Sequence, residues 1–178
     1  MPDPGDHRLI EKQIERAVKQ YDGLQSFFPR VEARAAFLFT LNITMAGVST
    51  ANLPDIVGAW PAVSIATLLV VALTAGIACA LLVFTTHLKN LDRKSLLFFG
   101  DIASFSASEY QAADAAETAD RFLDDLRCQN WRNAQILTHK YRWVGLSFNA
   151  TVVAIPLWVI FLVIAAFITG HTPLFRIN

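Results

Sequence analysis

Three long stretches without any charged side chain constrain this sequence more than any other feature. No Asp, Glu, Lys or Arg occurs in residues 35–54, 56–88 or 143–175. A helix needs about 20 mostly apolar residues to cross the hydrocarbon core of a bilayer, and each stretch is long enough. Only 17% of the residues are charged, against about 25% in an average soluble domain. The sequence therefore predicts an all-α membrane protein with three transmembrane helices.

The apolar stretches divide the chain into six predicted segments. In chain order these are a cytosolic amphipathic helix (1–30), transmembrane helices 1 and 2 (35–54 and 60–87), a cytosolic connector and long helix (88–142), transmembrane helix 3 (143–169) and an external tail (170–178). Polar residues interrupt the first transmembrane stretch at Thr40, Asn42, Thr44, Ser49, Thr50 and Asn52. They favour a helix that turns one face towards protein or water.

The distribution of Lys and Arg predicts the orientation, because cytosolic loops carry an excess of both. Six of these residues precede the first transmembrane stretch and eight lie between the second and the third. The short turn 54–58 has none, and the C-terminal tail has only Arg176. We therefore expect the N-terminus and the middle segment in the cytosol and the C-terminus outside.

Two cytosolic helices follow from the spacing of apolar residues. Residues 10–28 carry an apolar stripe at helical spacing, and we expect Pro29 to end this helix. The stripe either packs on the other cytosolic helix or lies on the membrane surface. The second helix is expected to begin at Ser106, which with Glu109 matches the capping-box pattern.

The second cytosolic helix is predicted to be long, because its apolar spacing reaches Tyr141 without Pro or Gly. It can be continuous with the third transmembrane helix as far as Gly145 or Pro156. Its regular spacing favours a helical partner, either the N-terminal helix or a second copy of the chain. Before it, Gly100 is expected to take positive φ in a turn.

Small residues recur every four positions in the second transmembrane stretch, at Ala72, Gly76 and Ala80. Such spacing lets another helix backbone approach closely. The partner helix could belong to the same chain or to another copy, so a homo-oligomer is one expectation.

The sequence holds no recognisable catalytic or metal-binding motif. Its four histidines are scattered, no phosphate-binding glycine loop occurs, and the transmembrane stretches lack the ionisable groups of a proton-coupled transporter. A net charge of zero argues against nucleic acid as a partner. We therefore expect no enzyme, no metal and no cofactor, with membrane lipid as one partner.

Bases and aromatic residues are interleaved in the cytosolic segment, where they could bind a nucleotide. Cations neutralise phosphate and aromatic rings stack on bases. The candidate ligand-binding residues are Phe98, Phe99, Arg127, Trp131, Lys140 and Tyr141. Alternatively, these residues belong to a solvated helix face, a structural corner at Phe98 and Phe99, and a membrane boundary at Lys140.

Three local motifs, in this order, resemble the transmembrane effectors of bacterial Pycsar anti-phage defence. They are Glu32-Ala33-Arg34-Ala35 followed by Leu41-Asn42, then Leu97-Phe98-Phe99-Gly100-Asp101-Ile102, then Asp125-Leu126, Gln129, Ile136 and Lys140-Tyr141. Glu32 and Arg34 stand where the family usually has Asp and Lys. Both differences keep the charge, although Arg and Lys differ in geometry.

The resemblance implies a function in the bacterial inner membrane. Such an effector senses a cyclic pyrimidine mononucleotide, cyclic UMP or cyclic CMP, and impairs the membrane so that growth stops. We hypothesise that a helix continuous with the third transmembrane helix transmits the signal. The alternatives are a structural or adaptor membrane protein that oligomerises through its cytosolic coil, and a small channel subunit without nucleotide control.

Overall fold

The computed structural model describes residues 4–53, 60–85 and 94–169, with side chains from residue 8 to residue 168. Within these ranges the chain forms helices and no strand, which confirms the all-α prediction. The helices are α1 Pro4–Asn52, α2 Trp60–Leu82, α3 Phe99–Ile102, α4 Ala107–Ala115 and α5 Ala119–Thr169. The predicted external tail 170–178 and the turn 54–58 lie outside the described residues.

Three helices are long and apolar enough to cross a membrane, judged by length and composition. These candidate spans are Arg8–Asn52, Trp60–Leu82 and Ala119–Ile168. They correspond to the three charge-free stretches, and the prediction of three transmembrane helices is confirmed.

The expectation that Pro29 ends the first helix is wrong, since α1 continues through it to Asn52. A proline inside a helix removes one hydrogen bond and crowds the carbonyl four residues earlier, here that of Gln25. Helix on both sides of this point is held by packing, with Ala17 buried before it and Val31 and Ala35 buried after it. Such packing offsets a local defect that would end an isolated helix.

The predicted long cytosolic helix is interrupted, so it begins later than expected. Helix α4 does start after Ser106, and the capping box is confirmed: Ser106 Oγ accepts from Glu109 N, and Glu109 Oε2 accepts from Ser106 N at 2.8 Å. However, α4 ends at Ala115 and α5 begins at Ala119. There the Thr118 hydroxyl accepts from Arg121 N at 3.4 Å and provides a new N-cap.

Helix α5 confirms the expected continuity into the apolar stretch. It extends unbroken from Ala119 to Thr169, past both Gly145 and Pro156. As at Pro29, one proline is tolerated inside a long helix whose neighbouring turns are packed, with Ala154 and Phe161 buried on either side of Pro156.

By their contacts the segments form two units. The first unit comprises residues 1–29 and 87–138, and the second comprises residues 30–86 and 139–178. In the first unit, Ala17 of α1 packs with Leu123 and Leu126 of α5, and half-buried neighbours surround them: Ile14, Tyr21, Leu97 and Phe122. The apolar stripe of the N-terminal helix therefore packs on the other predicted cytosolic helix, which confirms that alternative.

The second unit brings together the apolar parts of α1, α2 and α5. Its core combines larger side chains with four alanines: Met45, Leu69, Leu73 and Phe161 with Ala62, Ala66, Ala154 and Ala165. Alanines permit the close helix approach that gives apolar helices their dispersion contacts in a membrane. The predicted packing residues also face this interior, with Gly76 and Ala80 buried and Ala72 half-buried.

Two glycines of the second unit are expected to respond oppositely to alanine. A Cβ at Gly76 would lie 3.0 Å from Asn42 Oδ1, whereas a Cβ at Gly47 would meet nothing within 4 Å. Gly47→Ala should therefore stabilise the protein by about 0.5–1 kcal/mol through helix propensity. Gly76→Ala should destabilise it by about 1–3 kcal/mol through overpacking. Unfolding of the detergent-solubilised variants measures both, and shifts of the same sign would contradict this account.

Helix α4 should depend strongly on its cap, because it has only nine residues and none of them is buried. Besides the capping box, Phe105 contacts Tyr110 edge-on at 6.4 Å between ring centroids, the arrangement of a hydrophobic staple. Ser106→Ala should cost about 1 kcal/mol. The amides of Glu109 and Tyr110, which bond to Ser106, should then exchange with solvent about five times faster, while those of residues 122–126 serve as the unaffected control.

The cap should also weaken in acid. The backbone N–H and hydroxyl of Ser106 hold the pKa of Glu109 below its ordinary value. The contribution of Glu109 to stability is therefore present above the ordinary carboxyl pKa and is lost as pH falls through the lowered one. Hydrogen exchange in α4 should rise selectively in that range, and Glu109→Gln should remove this pH dependence.

Candidate functional site: a buried polar row in the first unit

The segment that precedes α3 is anchored to α5 by one carboxylate. Asp125 Oδ2 accepts from the Ser95 hydroxyl at 2.8 Å and from Leu96 N at 3.0 Å. The same hydroxyl accepts from Leu97 N and Phe98 N at 3.0 and 3.1 Å. Ser95 is only 2% exposed, so this turn satisfies its own buried polar groups. The result is a fixed position for Phe98.

Gly100 is explained by a close approach, because a side chain at this position would strike Phe98. A Cβ there would lie 2.6 Å from Phe98 Cε1. Gly100 lies within α3, so the expected turn with positive φ is wrong at this residue. Asp101 completes the turn by accepting from Ser95 N at 3.0 Å.

Phe98 lies over a buried arginine. The guanidinium carbon of Arg132 is 4.3 Å from the centre of the Phe98 ring, and Arg132 is only 7% exposed. A cation over an aromatic face is attracted to it. Even so, Arg132 Nη2 is buried and has no hydrogen-bond partner among the described residues. No carboxylate in the described ranges forms an ion pair with Arg132.

Gln129 continues the same row along α5. Asp125, Gln129 and Arg132 are spaced by four and three residues, which places them on one helix face. Gln129 is 3% exposed, and its Nε2 also lacks a hydrogen-bond partner within the described part of the chain. We call Asp125, Gln129 and Arg132 the polar row. Asp125 anchors the Ser95 turn, whereas Gln129 and Arg132 each have a buried donor without a partner among the described residues.

Asn130 is buried in a different way. Its Nδ2 donates to the carbonyl of Ala17 at 2.9 Å and so ties α5 to α1. Its Oδ1 is buried without a partner among the described residues.

Four of the candidate ligand-binding residues belong to the first unit. Phe98 and Phe99 are in contact, with ring centroids 4.8 Å apart, and Phe99 is 72% exposed. Trp131 is 61% exposed. Arg127 is exposed and donates to Gln13 Oε1 at 3.0 Å. Their roles in ligand binding stay predictions.

Lys140 and Tyr141 belong to the second unit. Lys140 is buried, and its Nζ lies 2.8 Å from Glu32 Oε1. This ion pair joins the acidic residue of the first motif to the basic residue of the third. The sequence alone does not reveal this pair, because 108 residues separate the partners. Tyr141 is half-buried.

The second unit contains a polar network of its own. Asn42 Nδ2 donates to Thr151 Oγ1 at 2.8 Å and to the Leu38 carbonyl at 2.7 Å. Ser147 Oγ donates to the Gly76 carbonyl at 2.8 Å. The network thereby links α1, α2 and α5 inside the apolar unit. It meets the expectation that the first span turns a polar face towards protein.

The described residues contain no group of three or more His, Cys, Asp or Glu side chains able to hold a metal ion. Cys79 and Cys128 are both free thiols. The polar row, by contrast, offers buried hydrogen-bond donors and one cation beside an aromatic ring. Such groups suit an anionic, acceptor-rich ligand.

The Phe98 ring and Gly100 should be energetically coupled. Gly100→Ala should destabilise the protein by about 1–3 kcal/mol, because the new Cβ displaces the ring from Arg132. In a Phe98→Ala background the same change should be neutral or slightly stabilising, since the clash is gone and alanine favours helix. Unfolding measurements on the two single variants and the double variant test this coupling. Additive effects would contradict it.

Comparisons with known proteins give one finding for this chain. The family described as the Pycsar effector protein domain matches residues 16–167. No curated protein and no solved structure matches. The matched range includes all three motifs whose resemblance was noted in the sequence, together with the polar row.

Proposed function

The chain belongs to the Pycsar effector family, and we propose that it senses cyclic UMP or cyclic CMP and then impairs the bacterial inner membrane. Membership implies an effector of anti-phage defence in cyclic pyrimidine signalling. The three candidate spans and the family together indicate a membrane location. The sensing step, the damage and their residues are our proposal.

The buried donors of the polar row carry the proposal that the first unit is the sensor. Gln129 Nε2 and Arg132 Nη2 have no partner in the described ranges, although both are buried. Leaving such groups unsatisfied costs free energy that a bound acceptor would recover. A ligand that fills them favours one arrangement of the helices over others, which is the requirement for a ligand-driven switch.

Helix α5 supports the proposal that the signal reaches the membrane. It contributes residues 119–138 to the first unit and residues 139–169 to the second as one unbroken helix. In the second unit the same helix carries Ser147 and Thr151, which bond to α2 and α1. A shift of α5 would therefore strain hydrogen bonds between the candidate spans.

Loss of these hydrogen bonds is the proposed route to membrane damage. Asn42, Ser147 and Thr151 are buried in the second unit. Separated from one another, their polar groups would seek water, because the hydrocarbon core offers no hydrogen-bond partner. We propose that the activated state admits water along this network.

The proposed orientation places the N-terminus and the segment 88–142 in the cytosol and the C-terminus outside. It rests on the Lys and Arg counts, since fourteen of the fifteen basic residues fall in the two segments assigned to the cytosol. We further propose that the effector acts as a homo-oligomer, uses no cofactor and catalyses no reaction.

Two other functions remain as competing predictions of the sequence. A structural or adaptor protein would oligomerise through its cytosolic helices and bind no small molecule. A small channel subunit would conduct without nucleotide. We propose that a small-molecule acceptor, and not a second copy of the chain, pairs with the buried donors at Gln129 and Arg132.

Calorimetric titration of the detergent-purified chain with cyclic mono- and dinucleotides should separate the three functions. We expect heat of binding with cyclic UMP or cyclic CMP, and leakage of dye from liposomes only when that nucleotide is present. No binding would favour the adaptor, whereas leakage independent of nucleotide would favour the channel subunit.

Coupling through α5 can be broken without altering the polar row of the first unit or the polar network of the second. Arg142→Gly with Trp143→Pro places a helix-breaking pair in the middle of α5. Nucleotide binding should persist, while nucleotide-dependent leakage and growth arrest should be lost. The matched control, Arg142→Ala with Trp143→Ala, removes the same side chains but keeps the helix, and should retain both. Ligand-dependent toxicity in the Gly-Pro variant would overturn the coupling.

A further inference from the structure

Arg132 and Lys140 are the two buried basic side chains within the described ranges, and they differ in one respect. Lys140 has a carboxylate, with Glu32 Oε1 at 2.8 Å. Arg132 has the Phe98 ring instead, and no carboxylate of the described residues pairs with it. A buried cation without a counter-charge is strongly unfavourable. An anion from outside the chain would supply what Arg132 lacks.

We propose that Arg132 and Gln129 form the phosphate subsite of the sensor, which binds a cyclic phosphodiester with a single negative charge. This inference rests on the proposed function and assigns residues to it. The subsite lies on the face of α5 that contacts the Ser95–Phe98 turn. Arg132 provides the charge, and Gln129 provides a second donor one helical turn away.

The Ser95–Phe98 turn bounds the subsite. Asp125 holds Ser95 and Leu96 one turn before Gln129, and Phe98 covers Arg132 one turn after it. Both ends of the row are therefore attached to the same short segment, with Gln129 between them. A ligand bound to Gln129 and Arg132 would contact this segment, so binding would be communicated to the Ser95 turn.

The charge of the row selects the class of ligand. A cyclic mononucleotide carries one negative charge, because its phosphate is a diester, whereas a cyclic dinucleotide carries two. The single guanidinium of Arg132 neutralises the one phosphate of a cyclic mononucleotide. It would leave the second phosphate of a cyclic dinucleotide buried without a partner, which is energetically unfavourable. Arg127, an exposed arginine of the same helix, already lies 3.6 Å from Asp124 and bonds to Gln13.

Aromatic rings next to the subsite are available for the base. Phe98 lies on the guanidinium, and Phe99 adjoins it with 72% of its surface exposed. A nucleotide base stacks on such rings with little dependence on its identity. The subsite therefore accounts for the mononucleotide phosphate, while the rings adjoin the position of the base.

Four variants of the full chain in detergent test the subsite by calorimetric titration with cyclic UMP and cyclic CMP. Arg132→Met removes the charge, and Arg132→Lys keeps it but loses the planar fork. Both should weaken binding, about 100-fold and about 10-fold respectively. The matched controls are Arg121→Met and Arg121→Lys, at an exposed arginine in the first turns of the same helix. They should bind as the unaltered chain does.

Gln129→Glu provides a sharper test, because it places a carboxylate within one turn of Arg132 without changing the side-chain size. The new carboxylate should pair with Arg132 and exclude the phosphate. We expect binding to fall at least 100-fold while the midpoint of thermal unfolding stays unchanged or rises. Far-ultraviolet circular dichroism verifies the helical fold of every variant, so loss of binding cannot be mistaken for unfolding.

Each outcome separates the subsite from the proposed function. If the unaltered chain binds cyclic UMP or cyclic CMP and the Arg132 and Gln129 variants bind equally well, the subsite is wrong and the sensor role stands. If the unaltered chain binds inorganic phosphate or a purine cyclic mononucleotide through Arg132 but neither pyrimidine, the subsite stands and the proposed ligand is wrong. If the unaltered chain binds no anion, both are overturned.

Discussion

Polar groups inside the apolar helices have to find partners within the protein, because the hydrocarbon core of a bilayer offers none. The second unit meets this constraint in two ways, although Asn42 Oδ1 and Trp158 Nε1 are buried without a partner among the described residues. Exposed hydroxyls donate to their own helix, as Thr44 does to the Thr40 carbonyl at 2.9 Å. Buried groups bond between helices, as Asn42 does to Thr151 and Ser147 to the Gly76 carbonyl. These bonds add directional contacts to the apolar core that packs α1, α2 and α5 in this unit.

The first unit differs in that two of its buried donors without partners among the described residues, Gln129 Nε2 and Arg132 Nη2, lie on one helix face. Its turn at Ser95 is fully bonded to Asp125, yet Gln129 and Arg132 on the same helix face have buried donors without partners in the described part of the chain. Lys140 has a carboxylate partner in Glu32, whereas Arg132 has none among the described residues. The proposal that Arg132 binds a ligand phosphate rests on this difference from Lys140.

The two glycines with close neighbours show how little space these arrangements leave. Gly76 admits the Asn42 side chain, and Gly100 admits the Phe98 ring. In both cases the neighbour that needs the space belongs to a polar contact, with Thr151 in the first case and with Arg132 in the second. At both positions a neighbouring side chain lies so close that a Cβ atom would crowd it, which explains the glycine. The expectation that Gly100 takes positive φ is wrong.

Patterns that involve nearby residues were readable from the sequence alone. The charge-free stretches predicted three membrane-crossing helices, and Ser106 with Glu109 predicted a cap, because spacing along the chain decides both. The break at residues 116–118 and the passage of α1 through Pro29 were mispredicted, since a local cap at Thr118 and packing on both sides of Pro29 outweighed periodicity and propensity. Only the tertiary structure could pair Lys140 with Glu32 and leave Arg132 beneath Phe98, because whether a buried charge has a partner depends on residues distant in sequence.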